Sequence, residues 1–306
     1  MQTSTNLEKL KPWMGFILFA VGLLFLMFPG AYMQSHMGIP GLILTELCFL
    51  AISILYCLIM KVSLREVFPI KKISFKDFFG VFFLFIGGFM LNFICLGVSM
   101  KVLDLIGKRA WISEAGDLSD FLFGSGLSKT LILVIVAVTP AICEESFMRG
   151  AVLSNFRSLK KDWLIILIIG VMFGILHLSP LRFLNTACLG ALLAYIMVKK
   201  NNILLPMLLH LFNNMLSSFG GMFSSPEALE TSQSILSEIN TTQALGSYLI
   251  VGFLSPIFLV LGAMLLDKES HRASHFAVAG VISGLLLIAG FAIMALSMRS
   301  VFAQML

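Results

Sequence analysis

Apolar stretches of about the length needed to cross a lipid bilayer alternate with short polar segments along most of the chain. A helix of about 20 apolar residues spans the hydrocarbon core, where only helices or a closed barrel satisfy every backbone hydrogen-bonding group. The alternating ten-residue pattern of barrel strands does not occur. The sequence therefore predicts an all-α polytopic membrane bundle of about eight to nine transmembrane helices. We place them at residues 13–33, 41–60, 78–100, 128–148, 163–180, 182–198, 203–222, 244–266 and 276–298.

Composition agrees with a membrane protein, because 58% of the residues are hydrophobic and 12% are charged, against about 25% charged residues in soluble domains. The five cysteines lie in apolar runs without a CxxC pair, as expected of small buried hydrophobic residues. The net charge of +5 comes from cations in short segments between spans. This distribution predicts contact with the lipid bilayer and no nucleic-acid partner.

Lysine and arginine residues are concentrated before the first span and after the second, fourth, sixth and eighth spans. Such segments lie on the cytoplasmic side of a membrane protein. We therefore expect an integral membrane protein with its N-terminus inside and an uncleaved first span. The chain carries no feature of another compartment, so we expect a bacterial cytoplasmic membrane.

Three short patterns place ionisable and amide side chains inside these apolar spans. The fourth span contains Glu144-Glu145-Ser146-Phe147-Met148-Arg149, the fifth has Phe173 four residues before His177, and the seventh has His210 four residues before Asn214. Ionisable groups at membrane depth are costly and usually functional. Glu46 and Asn92, in other spans, are interpreted as polar groups that pack helices together.

Within the fourth span, Glu145 and Arg149 are four residues apart and share a helix face, so we expect them to form an ion pair. Glu144 lies about 100° further round the helix and is left outside that pair. A carboxylate in this position is a candidate general base. Pro140, one turn earlier, is expected to kink the span and open space beside the two glutamates.

His177 alone, or His210 with Asn214, would be weak signals, because a single histidine on an apolar helix is often only a packed residue. Counted from the cytoplasmic boundaries at 1.5 Å per residue, however, Glu144, His177, His210 and Asn214 lie about 12 to 21 Å deep. Groups from three helices thus fall within one slab near the bilayer centre. The sequence therefore predicts that they form one site.

These groups are the parts of a hydrolase that acts on a carbonyl substrate, since a carboxylate and an imidazole activate water and histidine and asparagine stabilise an oxyanion. Two histidines and one glutamate also suffice to hold Zn²⁺ with an open position. The sequence does not choose between metal-free and metal-bound water. The HExxH, GxGD and GxSG signatures of other intramembrane hydrolases do not occur.

The motifs EExxxR, FxxxH and HxxxN, in this order on three membrane helices, resemble the CPBP family of intramembrane proteases. This family contains the type II CAAX prenyl endopeptidases and bacteriocin-processing enzymes once called abortive-infection proteins. The resemblance covers about a third of the chain, roughly residues 128–220. One departure is Met148, which stands where many members have an aromatic residue before the arginine, with Phe147 ahead of it.

The resemblance implies a membrane-embedded peptidase whose catalytic residues are Glu144 as base, His177 assisting it, and His210 and Asn214 stabilising the oxyanion. It implies supporting roles for three other residues, Glu145, Arg149 and Phe173. If a metal such as zinc is present, its implied ligands are Glu144, His177 and His210. The implied substrate is a peptide or a membrane protein, and we favour bacterial peptide processing over maturation of prenylated proteins.

Two other functions stay open from the sequence: a proton-coupled transporter, since buried Glu, Arg and His also form proton relays, and a non-catalytic membrane scaffold or immunity protein. No internal repeat supports the transporter. We divide the chain into N-terminal transmembrane helices with an outer loop at 1–127, catalytic core helices at 128–222, and an outer loop with C-terminal helices at 223–306.

Overall fold

The structure, a computed structural model, describes residues 6–113, 125–223, 239–267 and 273–305, and contains helices and no strand within them. Residues 114–124 and 224–238, which are parts of the two predicted outer loops, lie outside the described residues. The helices are α1 Pro12–Phe25, α2 Ala31–Met37, α3 Ile39–Met60, α4 Leu64–Val67, α5 Phe75–Leu105, α6 Ala110–Ser113, α7 Lys129–Leu133, α8 Thr139–Glu145, α9 Asp162–Leu176, α10 Phe183–Lys200, α11 Leu204–Phe223, α12 Thr241–Gly252, α13 Ser255–Leu266 and α14 Ala273–Met305. Single 3₁₀ turns occur at Asn6–Lys9 and Arg157–Leu159, and π-helical turns at Leu26–Gly30, Val134–Val138 and Ser146–Val152.

Seven helical segments of the described chain are long and apolar enough to cross a membrane, which confirms the predicted all-α membrane bundle. They are Pro12–Met37, Ile39–Met60, Phe75–Leu105, Lys129–Val152, Phe183–Lys200, Thr241–Leu266 and Ala273–Met298. Two predicted spans are not among the seven. Helix α9 is shorter, at 15 residues, and α11 carries a histidine, two asparagines and two serines among its apolar residues.

The predicted fifth span, at residues 163–180, is too long at its C-terminal end. Helix α9 ends at Leu176, and Leu178 has a positive φ of 50°. Pro180, two residues later, cannot continue a regular helix. As a result, His177 lies at the end of α9 rather than inside a continuous helix.

The fourth span is not a regular α-helix, because π-helical turns flank the short helix α8 on both sides. The first of these turns ends at Val138, two residues before Pro140. Proline removes one backbone hydrogen bond and is a common cause of such irregularities. The kink expected from Pro140 therefore takes the form of a π-helical turn, a feature that is frequent at functional sites.

The largest hydrophobic cluster of the described residues surrounds the second π-helical turn. Phe147 is fully buried there, and its ring lies 5.0 Å from that of Phe49 in α3. Gly22 of α1 allows this packing, because a Cβ atom at that position would come within 2.3 Å of the Phe147 ring. The fourth span thus lies inside the bundle, with α1 and α3 against it.

Helices α9 and α10 form a close antiparallel pair. A Cβ atom at Gly170 or Gly174 would lie within 3.0 Å of the backbone of α10, so both glycines are needed for this approach. Small residues at interhelical contacts are typical of membrane proteins. The close pairing holds Phe173, which is fully buried, against Gly190 of α10 and toward the fourth span.

Candidate functional site

Glu145 is the centre of a fully buried polar cluster. Its Oε1 atom accepts hydrogen bonds from Arg149 Nη1 and His210 Nδ1, each at 2.8 Å. The Glu145 and Arg149 side chains are 0% exposed. This confirms the ion pair predicted from the four-residue spacing. It also joins that pair to His210, 65 residues later in the chain.

Arg149 is held by two further contacts. Its Nη2 atom donates to the Gly190 carbonyl oxygen at 3.0 Å, and its guanidinium carbon lies 4.3 Å from the centre of the Phe173 ring. Such a cation–π contact strengthens when both groups are desolvated. Arg149 therefore connects the fourth span to α9 and α10.

The Phe173 ring lies between the two histidines of the predicted site. Its centroid is 4.7 Å from that of His177 and 5.7 Å from that of His210, both in edge-on arrangements. Phe173 therefore touches three of the polar side chains that the sequence singled out: His177, His210 and Arg149. The contact between Phe173 and His177 follows from their four-residue spacing, which places both side chains on one face of the helix.

Hydrogen bonds fix which nitrogen of each histidine is available. His177 Nδ1 lies 2.8 Å from the Phe173 carbonyl oxygen, which can only accept, so Nδ1 carries the proton. His210 Nδ1 likewise donates to the Glu145 carboxylate. In both residues Nε2 is thus the nitrogen left for chemistry.

Glu144 lies beside this cluster without joining it. Its Oε2 atom is 4.0 Å from His210 Nε2, too far for a direct hydrogen bond. That oxygen is buried and has no hydrogen-bond partner among the described residues. A buried oxygen of this kind needs a reason, such as a catalytic role. Within the same residues, no hydrogen bond joins Glu144 to His177.

Asn214 is held by a chain of amides that runs from α5 to the fourth span. Asn92 donates to Asn213, Asn213 donates to Asn214, and Asn214 Nδ2 donates to the Val136 carbonyl oxygen, at 3.2, 3.3 and 3.2 Å. Pro140 has no N–H to offer the carbonyl four residues before it, which is that of Val136. The proline therefore frees the acceptor that positions Asn214.

Three residues of this region, Asn92, Asn213 and Glu46, were not predicted as site residues. Sequence analysis assigned Asn92 and Glu46 to helix packing, and their presence inside apolar runs was the one available signal. Asn92 is in the amide chain. Glu46, in α3, is close enough to Glu144 and Cys143 to interact with them electrostatically, and its Oε2 atom is buried without a partner among the described residues.

The described residues contain no group of three His, Cys, Asp or Glu side chains placed to hold a metal ion. Glu144, His177 and His210, the ligands implied for a metal form, therefore do not converge as a set. The mechanism proposed below uses no metal ion.

Residues 126–216 match the Rce1-like family, described as type II CAAX prenyl endopeptidase Rce1-like. The matched segment contains all three motifs and confirms the resemblance seen in the sequence. It supports an intramembrane protease of the CAAX type in general. No curated protein and no solved structure matches the chain.

Proposed function

We propose that the protein is an intramembrane endopeptidase that hydrolyses a peptide bond with water activated by Glu144 and His177. The observation that carries the proposal is the buried, unpartnered Glu144 oxygen 4.0 Å from His210 Nε2. A carboxylate that is kept free beside an ordered imidazole is suited to take a proton from water. The match of residues 126–216 to a prenyl endopeptidase family supports the reaction class.

In this mechanism Glu144 removes a proton from a water molecule, and the water oxygen bonds to the carbonyl carbon of the substrate. His177 Nε2 accepts the second hydrogen of the water in a hydrogen bond. The carbonyl oxygen becomes an oxyanion, which His210 Nε2–H and the second Asn214 N–H stabilise. Glu144 then returns its proton to the amine as the carbon–nitrogen bond breaks.

The oxyanion role requires that the His210 ring be held in a fixed orientation. Glu145 supports that orientation, because its carboxylate accepts the Nδ1–H bond at 2.8 Å. A hydrogen bond to a charged partner is about twice as strong as one between neutral groups. Arg149 in turn holds Glu145 in place. The buried pair therefore orients His210, and Phe173 limits the movement of its ring.

The substrate we propose is a peptide or a membrane protein that reaches the site from the bilayer. In a bacterial cytoplasmic membrane, leader and signalling peptides are the favoured substrates. No contact within the described residues favours the transporter or the scaffold over this function.

The test uses purified full-length protein in lipid nanodiscs with two fluorogenic probes: a farnesylated peptide ending in a CAAX sequence and a pool of quenched apolar peptides. We expect wild type to cleave at least one probe and Glu144→Gln to lose about 10²- to 10⁴-fold in kcat. Glu66→Gln is the control, because Glu66 also has a buried, unpartnered carboxyl oxygen but lies in α4, outside the three sequence motifs. Equal cleavage by wild type and Glu144→Gln would contradict the proposal.

A further inference from the structure

Helix α3 runs parallel to the fourth span and in contact with it. Phe49 packs against Phe147, with ring centroids 5.0 Å apart, and further along both segments the Tyr56 hydroxyl donates to Asn155 Oδ1. The two contacts advance in the same direction along the chain. They therefore fix the register between the two segments.

This register places Glu46 level with Glu144. Each glutamate lies three residues before the phenylalanine of the contact pair, Glu46 before Phe49 and Glu144 before Phe147. In the regular helix α3, residues three apart share a helix face. Both carboxyl groups thus lie about one turn above the Phe49–Phe147 contact. The electrostatic interaction of Glu46 with both Glu144 and Cys143 agrees with this placement.

The Glu46 side chain is buried with one carboxyl oxygen left unpaired. It is 8% exposed, and its Oε2 atom is buried without a hydrogen-bond partner among the described residues. A buried polar atom left unpaired costs about 1–3 kcal/mol. Because Glu66 has the same feature, the register beside Glu144 is what distinguishes Glu46. Glu144 presents an unpaired oxygen in the same region.

We propose that Glu46 is a positioning residue of the site, whose carboxyl group faces Glu144 from α3 and orients, together with it, the water that attacks the substrate. The inference rests on the proposed function. It adds a second element to the site, since α3 lies outside residues 126–216 that match the protease family. On this account the N-terminal spans contribute to the reaction as well as to the bundle.

The experiment measures kcat and KM for wild type, Glu46→Gln, Glu46→Leu and the control Glu66→Gln with the fluorogenic peptides. A positioning role predicts that Glu46→Leu lowers kcat about tenfold or more with KM within about twofold, because the water is misplaced while substrate binding is kept. Glu46→Gln keeps a hydrogen-bonding group and should restore most of kcat. Wild-type kcat in Glu46→Leu overturns the inference.

A second measurement does not depend on activity. The thermal unfolding midpoints of Glu46→Gln, Glu144→Gln and the double variant are compared with wild type in the same nanodiscs. If the two side chains face each other, the midpoint shift of the double variant should differ from the sum of the two single shifts by about 2 °C or more. A double-variant shift equal to that sum overturns the inference. If wild type cleaves no probe, the proposed function fails, while the non-additivity still decides whether Glu46 faces Glu144.

Discussion

The fourth span and the C-terminal helix α14 are both apolar enough to cross a membrane, yet they differ in burial and regularity. In the apolar 18-residue stretch of Lys129–Val152, half of the residues are buried inside the bundle, against 17% in the corresponding stretch of Ala273–Met298. The fourth span contains two π-helical turns, Glu144, Glu145 and Arg149. By contrast, α14 is one continuous helix without a charged residue between positions 276 and 298.

The comparison shows where charged groups can be kept at membrane depth. The fourth span is enclosed by α1, α3 and α11, so Glu145 and Arg149 find protein partners. Helix α14 presents exposed apolar side chains such as Leu285, Ile288 and Phe291, as a surface facing lipid does. Irregular backbone is likewise tolerated in a membrane where neighbouring helices re-satisfy it. Perturbations should therefore be costly in the first region and mild in the second.

The largest effect on stability is expected for Arg149→Met. Removing one partner of a buried ion pair leaves the other charge uncompensated and costs about 3–5 kcal/mol. Chemical unfolding in detergent measures the loss in the free energy of unfolding. The control is Arg65→Met at an exposed position, which should stay within about 0.5 kcal/mol of wild type. The double variant Glu145→Gln, Arg149→Met should lose less than the two single variants combined. Equal stability of Arg149→Met and wild type would contradict the account of this pair.

A smaller loss is expected for Asn213→Ala, which cuts the amide chain between Asn92 and Asn214. The unpaired amides should cost about 1–3 kcal/mol, and kcat should fall because Asn214 is no longer held. The counterpart in α14 is Ser283→Ala, which removes a buried hydroxyl that has no hydrogen-bond partner among the described residues. This change should leave stability unchanged or raise it. If both variants unfold alike, the amide chain does not stabilise the site.

The third contrast is between two glycines. A Cβ atom at Gly190 would lie 2.6 Å from Phe173 Cβ, so Gly190→Ala should displace the ring beside His210 and cost about 1–3 kcal/mol. At Gly284, in α14, nothing lies within 4 Å of such a Cβ atom. Gly284→Ala should therefore be neutral or stabilise the helix by up to about 1 kcal/mol. The thermal unfolding midpoints of the two variants, together with kcat for Gly190→Ala, check this contrast. Equal changes in the two midpoints would contradict it.

Local spacing predicted the parts of the site that lie within one helix. The Glu145–Arg149 pair follows from a separation of four residues, and Phe173 contacts His177 for the same reason. Hydropathy alone predicted the helical bundle, because the need to satisfy the backbone in lipid leaves few alternatives. It was less accurate for α9, where residues after the helix end are still apolar enough to extend the predicted span.

Contacts between helices could not be predicted, because they depend on packing that one sequence does not specify. The bond from His210 to Glu145 joins residues 65 apart, and that from Asn92 to Asn213 joins residues 121 apart. The position of Glu46 beside Glu144 is set by the register of α3. Pro140 is an intermediate case: its missing N–H shows from sequence that the Val136 carbonyl is free, but not that Asn214 binds it.

The most direct test of the central claim, that the buried Glu144 activates water for proteolysis, is made in cells. Released peptides and the termini of membrane proteins are compared by mass spectrometry between cells with wild type and cells with Glu144→Gln at equal abundance, with Glu66→Gln as the control. The account predicts new peptides or truncated membrane proteins in wild-type and Glu66→Gln cells that are missing with Glu144→Gln. Identical sets of termini in all three, under conditions where the gene is needed, would contradict it and favour a non-catalytic scaffold.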